Sequence, residues 1–345
     1  MGLSERLSAA AVRRPHVLLV AVPGQAPLRW VAEDLLDSRG WSSARSPAAA
    51  DVLLCCGEPG RGLAEHVEVA WDAMPGPRAR ATATGAAQVP QALDAAVASL
   101  EDLAAQRRDA QHRVAPRLSA ADSGPGADHP ADADMDMESG SGHEMSGDMG
   151  HSMHMDMGMD LPGGLVMADR MQDRDGLRLE GLNLSLGPLL PSWPAGLRLD
   201  VGLTGDVLTH AEVVRLDPRP EPPVATPERA LDALASLLEV AGWSDGALRA
   251  RRARAEVGAG PGSDELLRRL RRARLLRWSL GRLPAPGGGD LVGHLDRLVA
   301  CVTGDADLPA ADDDRLARDV VGLDLGTAAL VVAAHGPLTR EHVRA

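Results

Sequence analysis

Apolar residues in the first third of the chain fall into short separated blocks. Residues 16–22 read HVLLVAV, residues 51–56 read DVLLCC, and residues 78–83 read RARATA. The first two are unbroken apolar runs, as in strands covered on both faces. Between the blocks the spacing changes to three and four. Leu28, Val31, Leu35 and Leu36 mark one helix over 28–38, and a second is expected over 63–74. A third is expected over 89–108, with Leu93, Val97, Leu100 and Leu103 on one side. Strand–helix alternation with short loops predicts a small parallel three-layer α/β domain over residues 15–113, after an extension of residues 1–14.

The second half has a different pattern. Leu197, Leu199, Val201 and Leu203 alternate, Thr204, Gly205 and Asp206 make a turn, and Val207 and Leu208 begin a return strand to about residue 214. This is a β-hairpin by period and turn chemistry. Beyond Pro227 the chain is rich in Ala, Leu and Arg, which favour helix. Helices are expected over 227–241, 245–256, 263–281, 290–303 and 312–335. Residues 163–345 are therefore read as an α+β domain, a β-hairpin followed by a helical bundle. Residues 114–162, dominated by Pro, Gly, Ser, Asp and Ala, are read as a linker that is disordered without a ligand.

Composition changes this picture in two places. The chain has no Lys, Ile, Phe or Tyr and one Asn, the bias of a very GC-rich genome, so its cores rest on Leu, Val, Ala and six Trp. The net charge of −13 is unevenly placed: residues 121–160 hold ten acids and no Arg, and the remainder carries only −3. No general nucleic-acid-binding surface is indicated. The N-terminal residues lack the apolar run of a signal peptide, and no stretch is long and apolar enough to span a bilayer. The expectation is a cytoplasmic protein, with peripheral association at the inner face of the cell membrane as its variant.

The densest candidate chemistry lies in the linker. Residues 135–159 place eight Met and three His in 25 positions, separated by Asp, Gly and Ser with no aliphatic residue. Met in such a setting cannot serve a core, and soft thioethers select Cu(I). His143, Met145, Met149, His151, Met153, His154, Met155, Met157 and Met159 are the candidate metal ligands, for Cu(I) or for Ni(II). Elsewhere the chemistry is sparse. Cys55 and Cys56 are read as small half-buried strand residues and Cys301 as a core residue. The run GEPGRG over 57–62 opens a helix and is read as a plain strand–helix turn, with an anion cradle as the alternative. There is no Gly-x-Ser-x-Gly, no His-Glu-x-x-His and no Walker lysine. His66, His294 and His335 are read as surface or core residues rather than bases. Arg268, Arg269, Arg271, Arg272, Arg274 and Arg277 crowd ten positions beside Leu266, Leu267, Leu270 and Trp278. A solvated helix face is the plain reading; a membrane surface or an acidic partner is the other.

Two stretches carry a resemblance. ADVLLCCGEPGRGLAEHVEVAWDAMPGPRA, residues 50–79, resembles the central part of the 20-kDa, cluster-bearing subunit of complex I and the small subunit of nickel–iron hydrogenase. The shared features are an apolar strand after Ala-Asp, a small-residue turn, a helix, and a Met-Pro-x-Pro ending at Met74, Pro75, Gly76 and Pro77. GPLLPSWPAGLRLDVGLTGDVLTHAEVV, residues 187–214, is similar to the N-terminal hairpin of the complex I 49-kDa subunit and the hydrogenase large subunit, with Gly187, Pro188 and Pro191 in the Gly-Pro-x-x-Pro places. The resemblance implies the fold. It also implies an iron–sulfur cluster held by strand-end cysteines, yet the loops at 23–25 and 84–86 have none, and two adjacent thiols cannot supply four ligands. No iron–sulfur cluster is expected. A nickel–iron centre needs Cys-x-x-Cys pairs that are absent. The quinone-site residues of the family are a His in the hairpin, which His210 matches, and a Tyr, which this chain lacks.

The sequence therefore points to a non-catalytic accessory or structural subunit of a complex I-like or hydrogenase-like oxidoreductase, partnered by subunits of that complex. The alternative is a metal-handling protein that binds Cu(I) or Ni(II) through the Met/His tract.

Overall fold

The computed structural model describes residues 14–121, 169–172, 178–220, 226–256 and 262–336. The first half is a four-stranded parallel sheet in the order β2-β1-β3-β4, built from β1 (His16–Ala21), β2 (Ser42–Ser43), β3 (Val52–Cys56) and β4 (Ala79–Ala83). Every residue of β3 is buried, because the strand is central and has helices on both faces. The side chains divide by parity. Val17, Val52, Leu54 and Cys56 pack under α1 (Ala26–Arg39) and α3 (Val89–Glu101), through Leu28, Leu36, Leu93 and Leu100. Leu18, Val20, Leu53 and Cys55 pack under α2 (Arg61–Ala73), through Leu63 and Val67, and on Met74. This is the three-layer α/β arrangement the sequence predicts, with one added edge strand, β2, too short to carry a period.

The helix expected over 89–108 breaks at Asp102, whose carboxylate accepts the Ala104 and Ala105 amides (3.0 Å each) and starts α4 (Leu103–Ala121). That helix continues eight residues into the stretch read as linker. Its position is set by Arg78, buried, which stacks on Trp71 and donates to both oxygens of Asp109 (3.1 and 3.0 Å).

The second half opens on an antiparallel sheet in the order β5-β6-β7-β8, from β5 (Asp169–Gln172), β6 (Arg178–Leu186), β7 (Leu197–Thr204) and β8 (Val207–Arg215). The predicted hairpin is β7–β8, turning at Gly205 (φ 65°) and Asp206, and it has two further strands on the β7 side. Leu197, Leu199, Val201 and Leu203 are the buried alternate residues of β7, covered by α10 (Asp313–Val320) and α11 (Leu325–Ala334). The sequence reads α10 and α11 as one helix over 312–335. They separate because Gly322 takes φ 84°, and the break pairs with β8: the Leu208 amide donates to the Leu323 carbonyl (2.9 Å) and the Gly322 amide to the Leu208 carbonyl (2.7 Å).

The helical core gathers α5 (Thr226–Val240), α6 (Ser244–Ala255), α7 (Gly262–Arg272), α8 (Arg274–Leu280) and α9 (Leu291–Thr303). Leu231, Leu234, Leu238, Leu270, Leu280, Leu295 and Leu298 fill it, and Cys301 is a fully buried member, as expected. The arginine-rich helix expected over 263–281 is in fact α7 and α8, parted at Ala273 (φ −75°, ψ 74°). Among the described residues no helix is long and apolar enough to cross a membrane.

Candidate functional site

A parallel sheet presents ligand sites beyond the carboxyl ends of its strands. Here Ala21, Cys56 and Ala83 end β1, β3 and β4 in register. The two cysteines next to this edge are buried, not half-buried, and adjacent strand residues face opposite ways. Cys55 lies in the core under α2 and Cys56 in the core under α1 and α3, so the sheet itself stands between the thiols. Burial pushes the Cys55 thiol up to about 11 and the Cys56 thiol up to about 12. Burial thus favours the neutral thiol at both positions near pH 7.

The glycine-rich turn is more than a plain strand–helix connection. Its amides at the start of α2 do meet an anion, and the anion belongs to this chain: Asp217, just past β8, accepts the Gly62 amide (3.3 Å) and the Leu63 amide (2.8 Å). The helix N-terminus favours the negative charge and leaves two fewer amides unsatisfied. Gly60 allows this approach, since a methyl group there would collide with the Asp217 carboxylate. The loop after β1 is closed in the same way. Gly24 (φ 76°) lies so close to the 219–220 segment that a Cβ would stand 2.8 Å from the Pro220 carbonyl oxygen.

Beside these contacts the halves enclose a cleft of about 510 Å³. Its walls include Val22, Trp30 and Trp41 from the first half, and Leu189, Trp193 and Ser236 from the second. The Gly187 to Pro191 segment singled out by the resemblance supplies Pro188, Leu189, Leu190 and Pro191 to this wall. His210 is exposed on β8 and does not line it.

A buried ionic cluster adjoins the cleft, with Arg29, Glu33 and Asp232 in its lining. Asp232 of α5 accepts from Arg29 of α1 (2.6 Å) and from Arg254 of α6 (2.8 Å). Arg29 also pairs with Glu33, one turn along α1. Arg254 donates to Asp34 (3.3 Å) and stands over the Trp30 ring at 5.0 Å. Its Nη2 is 2.9 Å from Glu33 Oε2, close enough for an ion pair but out of line for a hydrogen bond. Burial works to raise the Asp232 carboxyl, but Arg29 and then Arg254 hold it below the usual carboxylate range. The same carboxylates raise the Arg29 guanidinium against its own desolvation. Among the described residues the lining contains no His and no Cys. All four carboxylates among the described lining residues pair with arginines: Glu33 and Asp232 within the cluster, Asp37 with Arg252 and Glu239 with Arg251. The arrangement is that of a structural clamp beside an amphipathic cavity.

The candidate ligands His143, Met145, Met149, His151, Met153, His154, Met155, Met157 and Met159 lie outside the described residues. Among the described residues no group of three or more His, Cys, Asp or Glu side chains is placed to hold a metal ion. His66 is half-buried and bonded to the Gly62 carbonyl oxygen (2.9 Å); His294 and His335 are core residues. Sequence reasoning missed the clamp entirely. Its only trace was an acid or arginine at each of several scattered helix positions, unremarkable singly.

No family model, no curated protein and no solved structure matches this chain.

Proposed function

We propose that this chain is a non-catalytic accessory or structural subunit of a complex I-like or hydrogenase-like oxidoreductase. The observation that carries the reading is the state of the carboxyl edge of the parallel sheet. Asp217 and Pro220, from the chain's own second half, close against the loops after β3 and β1, and the two thiols beside that edge are buried on opposite faces. A strand edge that its own chain covers is suited to holding two parts together, not to passing electrons through a cluster. Partner subunits of the complex would dock on surfaces outside this junction.

A second reading is metal handling, and the density of soft ligands in the 143–159 stretch favours it. One experiment separates the two. The full chain, tagged and purified from its host, is analysed for metals and for stoichiometric partners. The accessory role predicts a multi-subunit oxidoreductase in fixed ratio and no bound metal belonging to this chain. Stoichiometric copper or nickel, lost when Met153, Met155, Met157 and Met159 become Ser, would establish the second reading instead. An iron–sulfur absorbance from this chain alone would sink the cluster-free assignment.

A further inference from the structure

The arginine-rich segment, once folded, has a face that the helical core does not use. Leu266, Leu267 and Leu270 of α7 and Leu276 and Leu280 of α8 are buried in that core. Leu275 and Trp278, three residues apart and so on one side of α8, point the other way and are 77% and 80% exposed. Trp278 is the one tryptophan of the six left exposed; the others are buried or half-buried, and Trp30, Trp41 and Trp71 each have an arginine over the ring. Leu275 and Trp278 are also the two most exposed large apolar residues among those described.

Charge lies close to this pair along the chain. Arg268 and Arg269 are paired with Glu265, and Arg277 with Asp296. Arg271, Arg272, Arg274 and Arg282 are exposed and form no ion pair with the described residues, although Arg271 is near enough to help hold Asp296 low. An indole and a leucine standing out of a field of unpaired guanidiniums is a specific chemistry. The ring and the aliphatic chain suit the boundary between headgroups and acyl chains, and the arginines suit anionic headgroups. A soluble acidic peptide would answer the charge but leave the two apolar side chains in water.

We propose that the α7–α8 face docks this protein directly on an anionic lipid bilayer, with Leu275 and Trp278 entering the interface and Arg271, Arg272, Arg274 and Arg282 contacting headgroups. This surface is distinct from the cleft and does not depend on the oxidoreductase reading.

The full chain is tested by co-sedimentation with vesicles of equal parts phosphatidylcholine and phosphatidylglycerol, and with phosphatidylcholine alone. The proposal predicts binding to the anionic vesicles, weakening as salt rises, and little to the neutral ones. Arg271→Gln with Arg272→Gln and Arg274→Gln should cut affinity about fivefold per arginine removed. Leu275→Ser with Trp278→Ser should leave only a weak, fully salt-sensitive attachment. Both sets lie on exposed positions, and unchanged thermal unfolding verifies that they fold. No binding by the wild type, equal binding to neutral vesicles, or binding that survives both sets of changes would overturn the proposal. So would quantitative displacement of the vesicles by a synthetic peptide of residues 131–160, since the patch would then serve an acidic segment.

Discussion

His294 is buried in α9 with neither ring nitrogen hydrogen-bonded among the described residues. Burial, with His335 and Arg297 adding to it, pushes its pKa down to about 4, from 6.5 in an exposed imidazole. Below pH 6.5 the unfolded chain takes up a proton that the folded chain refuses until about pH 4. Stability conferred by the neutral ring is therefore complete above pH 6.5 and is lost progressively as pH falls towards 4, by about 3 kcal/mol in all. Urea unfolding at pH 7 and pH 5 should show this loss in the wild type, and His294→Leu should remove most of it. His335, also lowered by burial but bonded to the Val331 carbonyl oxygen (2.9 Å), supplies the residual dependence. The thiols give a second residue-level expectation. Native protein at pH 8 should leave Cys55 and Cys56 unalkylated by iodoacetamide, and denatured protein should label at both; rapid labelling in the native state would refute their burial.

At the scale of elements, hydrophobic period located most helices and strands, and errors fell where one long helix was expected. Asp102 caps a new helix with its own carboxylate, Ala273 leaves the α region, and Gly322 turns the chain onto the edge of β8. Leu103 and Trp278 carry the apolar spacing on past the first two breaks yet stand exposed in the folded chain, so period alone does not reveal where a helix ends. The junction of α2 with the second half depends on a contact of 154 positions in sequence, Leu63 to Asp217. Gly60→Ala should drive a methyl group into that carboxylate and cost about 1–3 kcal/mol. Asp217→Ala should cost about 1–2 kcal/mol as the loss of a helix cap. The double variant should be less destabilised than the sum, because the second change removes the clash created by the first. Chemical denaturation of the four species measures the coupling; strict additivity would mean that the two do not touch.

For the whole molecule the decisive feature is the clamp of Arg29, Arg254 and Asp232. Replacing Asp232 by Ala leaves two arginine charges with only Glu33 and Asp34 to answer them, and should cost about 3–5 kcal/mol. The Asp232 carboxyl is depressed, so its contribution is present above the unfolded value near 4 and fades as pH falls through the lower folded value. Limited proteolysis of the D232A variant should cut between the halves sooner than in the wild type, and equal rates would show that the clamp is not what joins them. The sequence by itself determined the fold class, because apolar period and turn residues are local signals that each segment carries alone. It also determined that cysteine is confined to Cys55, Cys56 and Cys301 and that Lys and Tyr are absent, since a residue count needs no structure. Only the tertiary structure decided that Asp217 is the anion on α2, that Cys55 and Cys56 face apart, that an arginine from α1 and one from α6 share Asp232, and that Trp278 is left outside the core. Those outcomes rest on pairs tens to hundreds of residues apart and on which side of an element faces its neighbour. No local pattern encodes either, because both arise only when separate segments compete to bury the same apolar surface and pair the same charges.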